Sequence, residues 1–170
     1  MRVIGIDPGY ATTGFAVVER AGGILRSLVH GAIRTSRDSS QAERLAELRS
    51  GLADLISEHA PEVAAVERLF FNVNVRTAMS VGQASGVALV AAAEAGVPVH
   101  DYTPLEVKQS VTGVGSATKQ QVQTMVAALL ALDAPPRPPD AADACALAIC
   151  HLNRSGLTRA IAAAHAGDAR

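Results

Sequence analysis

The stretch Arg2-Val-Ile-Gly-Ile-Asp-Pro-Gly9 limits the architecture more than any other. Apolar residues at 3, 4 and 6 describe a strand covered on both faces. Asp7 stands where that strand should end, and Pro8-Gly9 then turns the chain. A carboxylate at the rim of a dry core is costly unless it is paired or holds a cation. A second run, Val63-Ala-Ala-Val-Glu67, repeats the arrangement: a short buried strand closed by an acid. If the two strands end at the same sheet edge, their acids meet.

The rest of the pattern supplies the layers. Thr13–Glu19 and Ile24–Ile33 read as strands joined to the first by short turns, which makes an antiparallel meander. Leu45, Leu48, Leu52, Leu55 and Ile56 recur at helical spacing between Gln41 and His59, and Pro61 follows. A helix rich in Gly and Ala is expected from about Asn74 to Ala95, with Gly82 and Gly86 leaving one side flat. Val97–Tyr102 reads as a strand. Thr103-Pro-Leu-Glu106 is a capping box that opens a helix to about Val111. Gly113-Val-Gly-Ser116 is a Gly-rich turn, and Ser116 is placed to cap a helix over Ala117–Leu132. The prolines of Ala134–Pro139 interrupt the chain before a last helix, from Asp140 to about Asn153. The sum is an α/β fold: a mixed five-stranded sheet, its first three strands antiparallel, with helices on both faces. Residues 1–156 form one domain, and the Ala-rich tail 157–170 is expected to be partly disordered.

Asp140 and Asp143, three apart at a helix start, share one face. With Asp7 and Glu67 they would put four acids in one cleft. Such a group cannot remain fully ionised without a cation. Oxygen donors without His or Cys suit Mg²⁺, with Mn²⁺ as a substitute. Two ions ~3.5–4 Å apart activate a water and stabilise the leaving oxygen of a phosphodiester. Taken one at a time, each acid has a plainer role: a helix cap for Asp140, a first-turn acid for Asp143, a partner of Arg68 for Glu67, an Asx-type turn for Asp7.

Six segments in order carry a family resemblance: Gly5-Ile-Asp-Pro-Gly9, Ala65-Val-Glu67 with Phe70, Gly82-Gln-Ala-Ser-Gly86, Val107-Lys-Gln109, Gly113-Val-Gly-Ser-Ala117 with Lys119, and Asp140-Ala-Ala-Asp-Ala144. Over about residues 2–153 the chain resembles the RuvC family of bacterial Holliday-junction resolving endonucleases. The resemblance implies a ribonuclease-H-like fold and a homodimer. It implies Mg²⁺-dependent, paired symmetrical nicking of four-way junction DNA in recombination and repair, leaving 5′-phosphate and 3′-hydroxyl ends. It assigns Asp7, Glu67, Asp140 and Asp143 as catalytic metal ligands, and RuvA and RuvB as partners. Phe70 matches an aromatic that stacks at the junction centre, where a ring replaces base stacking; Phe71 is left to packing. Lys108 and Lys119 match family lysines suited to phosphate contact. Ser116, after the Gly-rich turn, and Arg76, near a helix start, complete the expected DNA contacts.

Charge does not advertise such a partner. Lysine and arginine number 15 against 16 acids. Setting the four cleft acids aside leaves 15 positive against 12 negative, which admits DNA with a steep dependence on salt. Cys145 and Cys150, the two cysteines, stand five apart on one helix and read as buried thiols of a reducing compartment. No secretory apolar segment or membrane-length run is present, so a cytoplasmic protein is expected. An actin-like or sugar-kinase-like ATPase would need a second phosphate loop and a longer chain. A junction-gripping module without cleavage, or a nuclease for RNA–DNA hybrids, would share the fold.

Overall fold

A computed structural model describes the backbone of residues 1–68 and 75–167 and the side chains of 1–68 and 78–156. Strand β1 (Arg2–Asp7) pairs antiparallel with β2 (Thr12–Ala21), and β2 pairs antiparallel with β3 (Ile24–Arg34). Helix α1 (Gln41–His59) crosses to β4 (Val63–Glu67), which lies parallel to β1. Helix α2 (Val75–Glu94) leads to β5 (Val99–Tyr102), parallel to β4. The sheet order is β3-β2-β1-β4-β5. Then come α3 (Pro104–Thr112), α4 (Lys119–Leu129) and α5 (Pro139–Gly167). The expected mixed sheet with an antiparallel start is present.

Side-chain alternation divides the core in two. Ile4, Ile6, Val17, Ala64 and Val66 face α1 and α2, where Leu48, Leu52, Ile56, Ala84 and Ala88 cover them. Val3, Ala16, Val18 and Ala65 face α3, α4 and α5. Helix α5 is apolar all round: nearly every residue from Ala141 to Leu152 is buried, Asp143 being the polar exception. A helix of that kind belongs in the middle of a protein. It can lie directly on the sheet because glycines meet it. A β-carbon on Gly5 would run into the Ala144 carbonyl, and one on Gly14 into the Asp140 carbonyl.

Local chemistry sets most of the helix bounds. Ser40 and Glu43 form a capping box on α1, and Thr103 and Glu106 form one on α3. Two expectations need correction. Ser116 does not cap α4; Thr118 does, because Gln121 stands three residues on and returns a bond to the Thr118 N–H. Helix α5 begins at Pro139, one residue ahead of Asp140, and continues beyond Asn153 to Gly167. Gly156 does not stop it, being placed against the Arg20 guanidinium. Residues 168–170 lie outside those described. Cys145 and Cys150 are free and buried, and burial pushes the Cys145 thiol up to about 12. No helix among the described residues is long and apolar enough to cross a membrane.

Candidate active site

Because β1 and β4 are parallel and adjacent, with Ile6 opposite Val66, Asp7 and Glu67 emerge side by side at one sheet edge. Both lie on the sheet face that α5 covers, since their neighbours Ile6 and Val66 point to the other. The first turns of α5 bring Asp140 and Asp143 to the same edge, with the Asp140 backbone resting on Gly14, the register partner of Asp7. The turn after Asp7 is held from below. Buried Thr13 donates its hydroxyl to the Gly9 carbonyl (2.8 Å) and accepts from the Gly9 N–H (3.3 Å).

A cleft of about 370 Å³ opens above these strand ends. Asp7, Glu67, Asp143, Lys108 and Lys119 line it together with apolar Pro104, Val107, Val122, Ala146 and Leu147. Asp140 is not on its wall but acts on Asp7 through charge. Burial, followed by the charges of Glu67 and Asp143, raises Asp7 from 3.8 to about 8. Burial raises Glu67 as well, opposed by its hydrogen bond with Asp7 and by the Lys119 charge. The two carboxyls therefore share a proton at neutral pH. Lys119 Nζ donates to Asp143 Oδ2 at 2.6 Å, and that bond raises the ammonium's own affinity for its proton.

Donor chemistry and charge fit a hard divalent cation: four carboxylates, of which the Asp7–Glu67 pair is raised by burial and by the neighbouring acids. Among the described residues, no three acid, His or Cys side chains already surround one point. Asp143 is instead turned to Lys119, so an ion would replace both the shared proton and the ammonium as the balancing charge.

The structure brings six of the nine expected site residues into or beside this cleft: Asp7, Glu67, Asp140, Asp143, Lys108 and Lys119. Ser116 is exposed and lies away from it, in a separate shallow hollow with Thr112, Thr118 and Gln121. Phe70, the Phe71 beside it and the Arg76 side chain lie outside the described residues. Two positioning residues escaped the sequence reading. Thr13 is one; its signal was a polar residue inside an apolar strand. The other is Arg44, whose guanidinium stacks 3.9 Å from the Tyr10 ring centroid and donates to the Tyr10 carbonyl and to Thr35 Oγ1. Nothing in a surface helix marks that role.

Residues 3–151 match the family described as "Crossover junction endodeoxyribonuclease RuvC". A protein of that description from Chloroflexus aggregans is 56% identical over 151 residues, covering 89% of this chain and 92% of its own length. One from Moorella thermoacetica is 54% identical, covering 89% of this chain and 90% of its own length. Among solved structures, Thermus thermophilus RuvC in complex with a Holliday junction substrate superposes with a TM-score of 0.89 at 39% identity, covering 93% of this chain and 96% of that one. A yeast mitochondrial Holliday junction resolvase shares the fold at 14% identity, with a TM-score of 0.65, covering 89% of this chain and 79% of that one.

Proposed function

The chain belongs to the RuvC family of crossover junction endodeoxyribonucleases, and on that premise we propose that the cleft at the ends of β1 and β4 is where it hydrolyses junction DNA. The observation that carries this reading is the convergence of Asp7, Glu67, Asp140 and Asp143 on one sheet edge, where burial and then the neighbouring acid charges raise Asp7 to about 8. Asp7, Glu67, Asp140 and Asp143 would hold Mg²⁺, two ions by the number of acids, with Mn²⁺ able to substitute. When bound, the metal supplies an activated water and stabilises the leaving oxygen, so that the products carry 5′-phosphate and 3′-hydroxyl ends.

The chain's own groups do the rest. Asp7 and Glu67 give up their shared proton as the cation charge replaces it. Lys119, released from Asp143, and Lys108, which also lines the cleft, are the two ammonium groups placed to meet the substrate phosphate. Val107, Val122 and Leu147 narrow the cleft and lower its dielectric, which strengthens these charge contacts. Phe70 stacks at the junction centre in this reading, while Arg76 and Ser116 touch backbone farther out.

Paired symmetrical nicks need paired sites, and a two-fold dimer provides them. The exposed face of α2 supports one: Met79 and Val90 stand out into solvent, and β-carbons on Gly82 and Gly86 would meet nothing within 4 Å. A second copy of the chain can approach closely along that face. The RuvA–RuvB branch-migration complex would deliver the junction, in the cytoplasm. The test is a gel assay on a synthetic four-way junction, with linear duplex and RNA–DNA hybrid as controls, with and without Mg²⁺ or Mn²⁺. Paired, ligatable nicks confined to the junction and requiring metal are the expected result. Binding without nicking under every condition, or preferred cleavage of the hybrid, would overturn it.

A further inference from the structure

We infer that Arg34 and Arg37 form a phosphate-binding track that carries nucleic-acid backbone from the four-acid cleft across the β3 flank of the sheet. The inference rests on the nuclease reading above and extends it to a surface on the side away from Lys108 and Lys119.

The sheet register places the track. Strands β1 and β3 are both antiparallel to β2, so they end at the same edge. Asp7 lies opposite Gly14, Gly14 opposite Ala32, and Arg34 is two residues farther out. Two strand spacings and two residue rises put the Arg34 Cα about 12 Å from that of Asp7. Along one nucleic-acid strand, at ~3.4 Å per nucleotide, that is about three to four steps. The two side chains also share a face. Ile33 packs with the α1 layer, against Gly51, so Arg34 belongs to the opposite face, the one Asp7 occupies. Gly14 and Ala32 lie between them in the sheet, with the first turn of α5 seated on Gly14 and Thr12 beside Arg34, so the track passes outside that turn, along the strand ends.

Both cations are available. Arg34 and Arg37 are exposed, and neither has an ion-pair or hydrogen-bond partner among the described residues. Four other arginines do: Arg2 with Glu19, Arg20 with Asn153, Arg49 with Glu94 and Arg154 with Glu106. An arginine left without an anion is poised for a planar phosphate contact. The segment that carries them is fixed to the catalytic turn rather than trailing from it. Thr35 Oγ1 donates to the Tyr10 carbonyl (3.1 Å), the Thr35 N–H donates to the Ala11 carbonyl (3.4 Å), and Arg44 ties both sides together. Asp38 is the acid nearest in sequence, and its N–H is bonded to Ser36 Oγ. A strand held at Arg34 is thereby held in register with Asp7.

The test measures binding of fluorescent four-way junction and of linear duplex over a range of monovalent salt in EDTA, for the wild type, the double variant Arg34→Gln/Arg37→Gln, and Arg26→Gln. Arg26 is an exposed arginine near the start of the same strand, at the far edge, and serves as the charge-matched control. Each lost phosphate contact should weaken binding about eightfold at 0.1 M salt and flatten the log–log salt slope by about 0.9. The double variant is therefore expected to lose roughly 60-fold with a slope flatter by about 1.8, while Arg26→Gln stays within about twofold of wild type. Wild-type affinity and slope in the double variant, or an equal loss in Arg26→Gln, overturns the track. The nuclease reading is scored apart, by whether the wild type nicks the junction once Mg²⁺ is added. Nicking with an unchanged double variant removes the track alone. Binding that depends on the two arginines without nicking removes the nuclease reading alone.

Discussion

Replacing Asp7 by Asn should make the metal-free protein more stable in mild alkali while abolishing cleavage. Asp7 ordinarily titrates near 3.8, and in the folded cleft burial and the charges of Glu67 and Asp143 raise it to about 8. Between those values the folded protein keeps a proton that the unfolded chain has released. The unfolded state thus binds fewer protons, and stability falls as pH rises from about 4 to about 8, levelling beyond. At ~1.36 kcal/mol per pH unit the ceiling of that loss is about 5–6 kcal/mol. Lys119 and the open mouth of the cleft screen part of it, which leaves about 2–3 kcal/mol. For a chain of this size that is a melting-temperature difference of about 6–9 °C. Asn is neutral, nearly isosteric with Asp, and its amide donates to ionised Glu67. Melting curves in EDTA from pH 5 to 9 should therefore lie closest for the two proteins at pH 5, part steadily up to about pH 8 and keep a constant gap beyond, with Asp7→Asn higher. Adding Mg²⁺ should raise the melting temperature of the wild type and leave that of the variant unmoved. Parallel pH curves, or a variant less stable than wild type at pH 8.5, would refute the shared-proton account.

Gly14→Ala drives a methyl group into the Asp140 carbonyl; melting should show a loss of about 1–3 kcal/mol, and stabilisation by Mg²⁺ should shrink because Asp140 is displaced. A variant that melts and responds to Mg²⁺ as wild type does would mean that α5 can shift freely on the sheet. Lys119→Met removes the cation that holds Glu67 down, so junction cleavage should slow by about a hundredfold and its pH profile should move to higher pH, read from single-turnover rates. An unaltered profile would take Lys119 out of the cleft's charge balance.

How far the chain could be read depended on where its signals were kept. Helix α1 announces itself through the spacing of Leu45, Leu48, Leu52, Leu55 and Ile56, and α3 through Thr103/Glu106, a signal complete within four residues, whereas the Ser40/Glu43 box on α1 emerged only in the structure. Asp7 and Glu67 were legible because an acid closing an apolar strand has few cheap explanations, and Asp140 with Asp143 because three residues is nearly one helical turn. What was not legible depends on distance or on competition. The Lys119–Asp143 contact joins residues 24 apart in sequence through the packing of α4 on α5. Ser116 and Thr118 are both capping residues two apart, and only a partner three residues on, Gln121, decides between them. The length of α5 was hidden because Gly156 reads as a stop, whereas its missing side chain makes room for Arg20.

Helix α5 is at once the most enclosed element of the core and the bearer of two of the four acids. Activity and solubility are therefore hard to separate by mutation along it. A change at Ala144, whose carbonyl touches Gly5, or at Leu147, which both fills the core and walls the cleft, alters the site and the fold together. The periphery is under no such constraint: the exposed outer end of β3 can exchange residues without disturbing the centre. A scaffold divided in this way permits its choice of nucleic acid to drift while the cutting chemistry stays locked to the stability of the whole.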